Sequence, residues 1–169
     1  GAVKRGSEID YNGAPGGYAA DPTEVVNYVS KHDNQTLWDM ISYKAAQEAD
    51  LDTRVRMQAV SLATVMLGQG IAFDQQGSEL LRSKSFTRDS YDSGDWFNRV
   101  DYSLQDNNYN VGMPRSSDDG SNYDIIARVK DAVATPGETE LKQMTAFYQE
   151  LTALRKSSPL FTLGDGATV

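Results

Sequence analysis

Two short runs limit what this chain can fold into. Val25–Val29 reads VVNYV, and Gly70–Asp74 reads GIAFD. Both are β-branched or aromatic, nearly continuous in apolar character and too short for a helix. That is the pattern of a strand covered on both faces, as in a parallel sheet. Parallel neighbours need a crossover, and the stretch between the runs carries two helical patterns. The first, over Gln35–Glu48, puts Leu37, Met40, Ile41 and Ala45 on one face. The second, TRVRMQAVSLATVML, repeats Val55, Ala59, Leu62, Ala63 and Met66 at helical spacing. Asp52 is placed to cap its start and Gly68 to follow its end.

The rest of the chain extends this order. Gly1–Pro22 is rich in glycine, proline and alanine and reads as loop, with Gly16–Gly17 a turn. Gln75–Asn122 is long, polar and without period, and such segments are functional or disordered. Phe86, Tyr91, Trp96, Phe97 and Tyr102 argue against plain disorder. A short helix is expected over Ile125–Val133. A stronger one follows TPGETELKQMTAFYQELTALRKSSP, with Thr135 and Glu138 at capping-box spacing and Pro136 at its first position. Leu141, Met144, Tyr148, Leu151 and either Leu154 or Arg155 form its inner stripe, and Pro159 ends it. Strand, helices, strand, long loop and helix make βα units on a parallel sheet. Polar residues gather after each strand, the edge where (β/α) barrels carry their sites.

Composition removes several functions. Lysine and arginine total 16 and aspartate and glutamate 24, a net charge of −8 that repels phosphate backbones, so no nucleic-acid partner is expected. There is no cysteine, hence no disulfide, thiolate nucleophile or cysteine metal site. His32 is the single histidine, which rules out a multi-histidine zinc site within the chain. No apolar run approaches the roughly 20 residues of a membrane helix, and GAVKRGSEIDYNGAPGG lacks the apolar centre of a signal peptide. At the other end SSPLFTLGDGATV stops as a strand pattern begins, so a piece of a longer chain is expected.

Two constellations could carry chemistry. In YVSKHDNQTLWD, His32 and Asp33 stand at a strand-to-helix turn. Asp33 or Asn34 could simply cap the helix. Alternatively the imidazole hydrogen-bonds sugar hydroxyls while the carboxylate stabilises an oxocarbenium-like charge. In DSYDSGDWFN, Asp89, Asp92 and Asp95 lie three apart, without the alternation and final glutamate of an EF-hand. A looser calcium loop, a solvated surface turn and a sugar-binding loop with Tyr91 or Trp96 as a flat face are the readings here. Glu79, Arg82 and Lys84 read as a structural ion-pair cluster, and SSDDGSNYD (Ser116–Asp124) as solvated loop with a minor chance of calcium.

These motifs carry a resemblance. YVSKHDNQTLWD resembles the fourth conserved region of the alpha-amylase superfamily of glycoside hydrolases. GIAFDQQGSELLRSK followed by DSYDSGDWFN is similar to the eighth barrel strand and following loop of type I pullulanases, the starch-debranching enzymes, notably their enterobacterial members. The resemblance covers nearly the whole chain. It implies the C-terminal part of a (β/α)8 TIM barrel: residues 1–158 with strands seven and eight, then 159–169 as the start of a C-terminal β-sandwich. The implied reaction is retaining hydrolysis of α-1,6-glucosidic links in pullulan and branched maltooligosaccharides. Asp33 matches the transition-state-stabilising carboxylate and His32 a substrate hydrogen bond at the cleavage subsite. Asn34, Asp89, Tyr91, Asp92, Asp95, Trp96 and Asn98 fall where neighbouring glucose units bind. The strand-four nucleophile and strand-five acid of the family are absent from this sequence, so the segment alone is expected to be inactive and to fold poorly without the remaining segments. No cofactor is implied for the chemistry; a structural calcium is compatible with the parent enzyme, and an extracellular or outer-membrane-attached location is implied. The rival expectations are a non-catalytic α-glucan-binding protein and a calcium-stabilised structural domain.

Overall fold

The computed structural model describes residues 4–169. A 3-10 turn at Gly6–Glu8 leads into a small antiparallel hairpin, β1 (Asp10–Tyr11) and β2 (Ala14–Pro15), with Asp10 opposite Pro15 and Tyr11 opposite Ala14. Asn12 (φ 54°) and Gly13 (φ 84°) turn it, both left-handed as a two-residue hairpin loop demands. The expected loop with a Gly16–Gly17 turn is thus corrected to a hairpin turned at Asn12–Gly13. Gly17 serves close approach instead: its N–H donates to the Gly6 carbonyl at 2.9 Å, and a Cβ there would lie 2.8 Å from the Gly6 Cα.

The expected parallel pair is present. β3 (Val26–Asn27) and β4 (Ile71–Ala72) run side by side with Val26 opposite Ile71 and Asn27 opposite Ala72. Both strands are shorter than the runs that signalled them, and they are not buried on both faces. Val25, Val26, Tyr28, Val29, Ile71 and Phe73 are each 38–52% exposed. Two strands bury backbone edges and one shared seam, and among the described residues no further strand joins them.

The crossover between them holds α1 (Leu37–Lys44) and α2 (Leu51–Met66). α2 is capped by Asp50, whose carboxylate accepts the Thr53 N–H at 2.8 Å, and not by Asp52. Asp52 instead pairs with Arg56 one turn on. Gly68 follows α2 without a left-handed turn. The carbonyls there meet Arg155, whose guanidinium donates to Met66 O (2.7 Å), Gly68 O (2.8 Å) and Gly70 O (2.8 Å). A cation at a helix C-terminus satisfies orphan acceptors and opposes the helix dipole. Arg54 does the same for α1, fully buried and donating to Ile41 O and Ala46 O.

The remaining helices are α3 (Asp95–Asn98), α4 (Ser116–Asp119), α5 (Tyr123–Val129) and α6 (Glu138–Ser157). α5 begins two residues earlier and ends four earlier than the sequence pattern suggested. α6 begins at Glu138 with Gly137 as N-cap, and Glu140 accepts the Gly137 N–H at 2.8 Å. The Thr135–Glu138 box is therefore displaced by two residues, because Pro136 and Gly137 are still outside the helix. Leu141, Met144 and Leu151 are its buried stripe, and of the two candidates for the last position Arg155 faces inward while Leu154 is exposed. The core joins these residues to Trp38, Val55, Leu62, Met66, Ile126 and Val129. It also takes in Leu81, Phe86 and Tyr109 from the irregular segment, with Phe86 stacked on Tyr43 at 5.8 Å and edge-on to Tyr109 at 5.0 Å. No helix among the described residues is long and apolar enough to cross a membrane.

Candidate functional site

β3 and β4 end on the same side, so the segments that follow them meet. Ser30 Oγ, after β3, donates to Gln75 Oε1, after β4, at 2.6 Å. Beyond Ser30 the chain turns through Lys31–Asn34, and Asn34 takes φ 62°, a conformation asparagine tolerates better than most. α1 starts three residues later. Its cap is Thr36, whose hydroxyl accepts the Asp39 N–H at 3.2 Å. The capping role weighed for Asp33 or Asn34 is corrected: neither side chain caps the helix, because the left-handed turn at Asn34 carries both away from its first N–H groups.

His32 and Asp33 are left at the rim. Their side chains are 86% and 61% exposed, with His32 Nε2 3.5 Å from Asp33 Oδ1. Lys31 Nζ lies 2.5 Å from Asp33 Oδ2. That hydrogen bond and the ammonium's charge, with smaller help from His32 and Lys84, hold the Asp33 carboxyl below the usual carboxylate range. The rim therefore presents an ionised carboxylate and an imidazole side by side.

Beneath the rim lies a buried polar layer that the sequence pattern did not signal. Lys84 is 1% exposed, and its Nζ donates to the His32 carbonyl at 2.8 Å. Its backbone N–H donates to Asp39 Oδ2 at 3.0 Å. Asp39, fully buried in α1, also accepts from Ser83 Oγ at 2.5 Å and the Phe86 N–H at 3.3 Å. Burial pushes the Asp39 carboxyl up, against these donors. Burial pushes the Lys84 ammonium down, while Asp39, Asp33 and Asp89 oppose the change. The expected Glu79–Arg82–Lys84 ion-pair cluster is corrected here. Arg82 donates to the carbonyls of Gln76 and Asn98, Glu79 accepts the Gly77 N–H, and Lys84 goes to His32. Backbone carbonyls at a strained loop need donors, and the long cations reach them before they reach Glu79.

The DSYDSGDWFN loop lies to one side. Tyr91 is 83% and Trp96 64% exposed, and the Trp96 indole N–H donates to Val111 O at 2.9 Å, which fixes the plane of the ring. Asp89 and Asp95 are exposed. Asp92 is gripped at both oxygens by Arg115, at 3.2 and 2.6 Å, and that bond lowers its pKa. The Asn98 amide is committed to the loop itself, accepting from Ser90 Oγ and donating to Ser90 O and Gly94 O. Among the described residues no three acidic or histidine side chains gather so as to hold a metal ion, and Asp92 is already committed to Arg115. Ser116–Asp124 is helical rather than plain solvated loop: Asp119 is fully buried and accepts the Arg88 N–H at 3.0 Å.

Comparison with known proteins matches this arrangement to one family. A family model described as alpha-1,6-glucosidases, pullulanase-type, C-terminal matches residues 104–169. Over all of this chain, a pullulanase of Klebsiella pneumoniae is 92% identical, and the chain spans 16% of that protein's length. The crystal structure of PulA from Klebsiella oxytoca superposes with a TM-score of 0.94 at 92% identity, covering 99% of this chain and 16% of that one. An Anoxybacillus pullulanase complexed with maltotetraose superposes at 0.59 with 28% identity over 88% of this chain and 17% of its own.

Proposed function

We propose, because this chain is 92% identical along its whole length to a pullulanase, that it is a segment of a retaining glycoside hydrolase. The longer enzyme cleaves α-1,6-glucosidic links in pullulan and branched α-glucans. In this reading β3 and β4 are the seventh and eighth strands of a (β/α)8 barrel, and residues 159–169 lead from the barrel into a C-terminal β-sandwich. Parallel pairing across a helical crossover supports the barrel. Residues 159–169 form a 3-10 turn at Pro159–Phe161 and no strand here. An extracellular or outer-membrane-attached enzyme is proposed on the likeness to pullulanases alone.

One observation carries the assignment of the site: Asp33 is free of the helix-capping role, stands at the C-terminal edge of the parallel pair and is kept ionised. Hydrolysis with retention passes through an oxocarbenium-like transition state between a nucleophilic carboxylate and a proton-donating one. Neither of those two is assigned to this chain. Asp33 supplies the third carboxylate, whose charge is complementary to the developing cation. His32 offers an imidazole to the hydroxyls of the same ring. Trp96 and Tyr91 offer flat faces, and Asn34, Asp89 and Asp95 offer exposed polar groups, to the flanking glucose units.

The test is Asp33→Asn in the full-length enzyme, with pullulan as substrate. Loss of a charge that acts on the transition state is expected to lower kcat by roughly 10²–10³-fold with little change in melting temperature. Activity near wild type would sink the assignment. The chain by itself is expected to release no reducing sugar from pullulan.

A further inference from the structure

The rim turn has little of its own to hold it. Residues 30–35 make no main-chain to main-chain hydrogen bond among the described residues, and Asn34 sits in a left-handed conformation. Exposed side chains dominate it, with His32 and Asp33 mostly in solvent. A turn with that constitution would sample many positions, yet a carboxylate acting on a transition state must be held within a fraction of an ångström. Something outside the turn has to fix it.

Three bonds reach it from the chain beyond β4: Ser30 Oγ to Gln75 Oε1, Lys84 Nζ to the His32 carbonyl, and the Gln35 amide to Asp119 Oδ1 at the long distance of 3.5 Å. The second acts on the backbone between the two rim side chains. Lys84 is itself immobilised. Its N–H is fixed on Asp39, and the N–H of Ser83 before it donates to Asn107 O at 2.8 Å. Asp39 in turn is held in α1 by the ring of donors described above. A rigid path therefore runs from the buried face of α1, through Asp39 and Lys84, to the peptide that carries His32 and Asp33. A buried ammonium is costly to desolvate, and a neutral side chain of similar length would pack as well. The charge is what gives the bond to a carbonyl its strength.

We propose that Lys84 is a positioning residue for the rim: it holds the His32 carbonyl, and through that peptide sets where the Asp33 carboxylate and the His32 ring stand against the glucosyl unit. The inference rests on the role proposed above for Asp33. Lys84 does not touch the sugar in this account.

The experiment uses the full-length enzyme on pullulan, with Lys84→Met and Lys84→Arg made alone and in the Asp33→Asn background. Lys84→Met keeps the apolar stem and deletes the donor. It is expected to lower kcat about 10- to 100-fold, the loss of one charge-assisted hydrogen bond, with KM changed much less and the melting temperature nearly kept. Lys84→Arg retains a cationic donor and is expected to recover kcat to within tenfold of wild type. If Lys84 serves packing alone, the order reverses and methionine outperforms arginine, which overturns the proposal, as does a Lys84→Met kcat within twofold of wild type. In the Asp33→Asn background Lys84→Met should cost clearly less than in wild type, only its effect through His32 remaining, because both act through one turn; a full additional loss would overturn the path. Should Lys84→Met fail to fold, Lys84→Arg decides: a folded variant with retained kcat supports the bond, and a folded variant with kcat lost overturns it. Asp33→Asn alone separates the two ideas. If it leaves activity intact, the reading of the rim fails; if it abolishes activity while Lys84→Met does not reduce it, only the inference about Lys84 fails.

Discussion

Ser83–Thr87 has no regular secondary structure, yet every one of its residues is buried. The paired strands β3 and β4 are regular, yet their apolar side chains stand 38–52% exposed. The difference is one of partners. Ser83–Thr87 is polar at four of five positions, but it lies between α1 and the Asn107–Gly112 loop, which answer most of its groups, the Thr87 hydroxyl excepted. Asp39 takes Ser83, Lys84 and Phe86; Asn107 and Gly112 take Ser83 and Ser85. The strands offer apolar faces that the described residues cover only in part, Ala72 packing on the core while Val26, Tyr28, Ile71 and Phe73 stay about half exposed. Two aspartates, Asp39 buried and Asp74 half-buried, make the same contrast. Asp39 accepts three donors, whereas both oxygens of Asp74, just after β4, are buried without a hydrogen-bond partner. Burial here goes mainly with polar groups being answered rather than with regularity or apolar character, and the Asp74 carboxylate and the Thr87 hydroxyl are the exceptions.

The largest blow to this contrast falls on the irregular side. Phe86 is fully buried between Tyr43 and Tyr109, at φ 71°. Phe86→Ala should destabilise the fold by about 3–5 kcal/mol, the usual cost of deleting a buried aromatic, read as a lower urea midpoint. A loss below 1 kcal/mol would mean the segment is not core. Asp39→Ala comes next. It strands two N–H groups and a hydroxyl in a dry site, at a cost of roughly 2–4 kcal/mol, although it deletes no apolar surface.

On the strand side the effect depends on pH. Burial, with help from the nearby Glu79 charge, pushes the Asp74 pKa up to about 6 from 3.8. The native state then binds more protons than the unfolded state between those values, so stability falls as pH rises through this window and is level above it. The whole effect is at most about 3 kcal/mol, and partial solvent access trims it. Other carboxylates here have lowered values and slope the opposite way, so the informative quantity is the difference between wild type and Asp74→Asn in urea unfolding from pH 4 to 7.5. Asp74→Asn should gain on wild type as pH rises. A flat difference would show that Asp74 is answered after all, and the contrast with Asp39 would vanish.

How much of this was legible in the sequence follows the same division. The parallel pair, its crossover helices and the polar edge beyond the strands were readable, because apolar periodicity is local. The Asn12–Gly13 turn is equally local, since an Asn-Gly pair is itself a hairpin signal, though the paired glycines at 16–17 mask it. Thr36 could not be told from Asp33 or Asn34 as a cap, since all three residue types accept the same bonds; only the backbone angle at Asn34 decides. The Asp39–Lys84 and Lys84–His32 bonds join residues 45 and 52 positions apart. A lone aspartate in a helix and a lysine in a polar loop carry no periodic signal of such a meeting.

The smallest expected effect is the sharpest test of the strands. Ile71 is 50% exposed in β4, opposite Val26. Threonine keeps the β-branch and the strand preference, so in this chain Ile71→Thr should change stability by no more than about 0.5 kcal/mol, as surface substitutions do. The proposed barrel makes a different claim for the longer polypeptide. There further strands and side chains would cover this face, and the same substitution would lose buried apolar area and bury a hydroxyl, at about 1–3 kcal/mol. Thermal unfolding of the chain and of the full-length enzyme, each with and without Ile71→Thr, measures both numbers. A cost that grows in the longer protein marks the exposed apolar face as an interior surface. Equal, near-zero costs would leave β3 and β4 as a solvent-facing ribbon, and the barrel reading would fall with them.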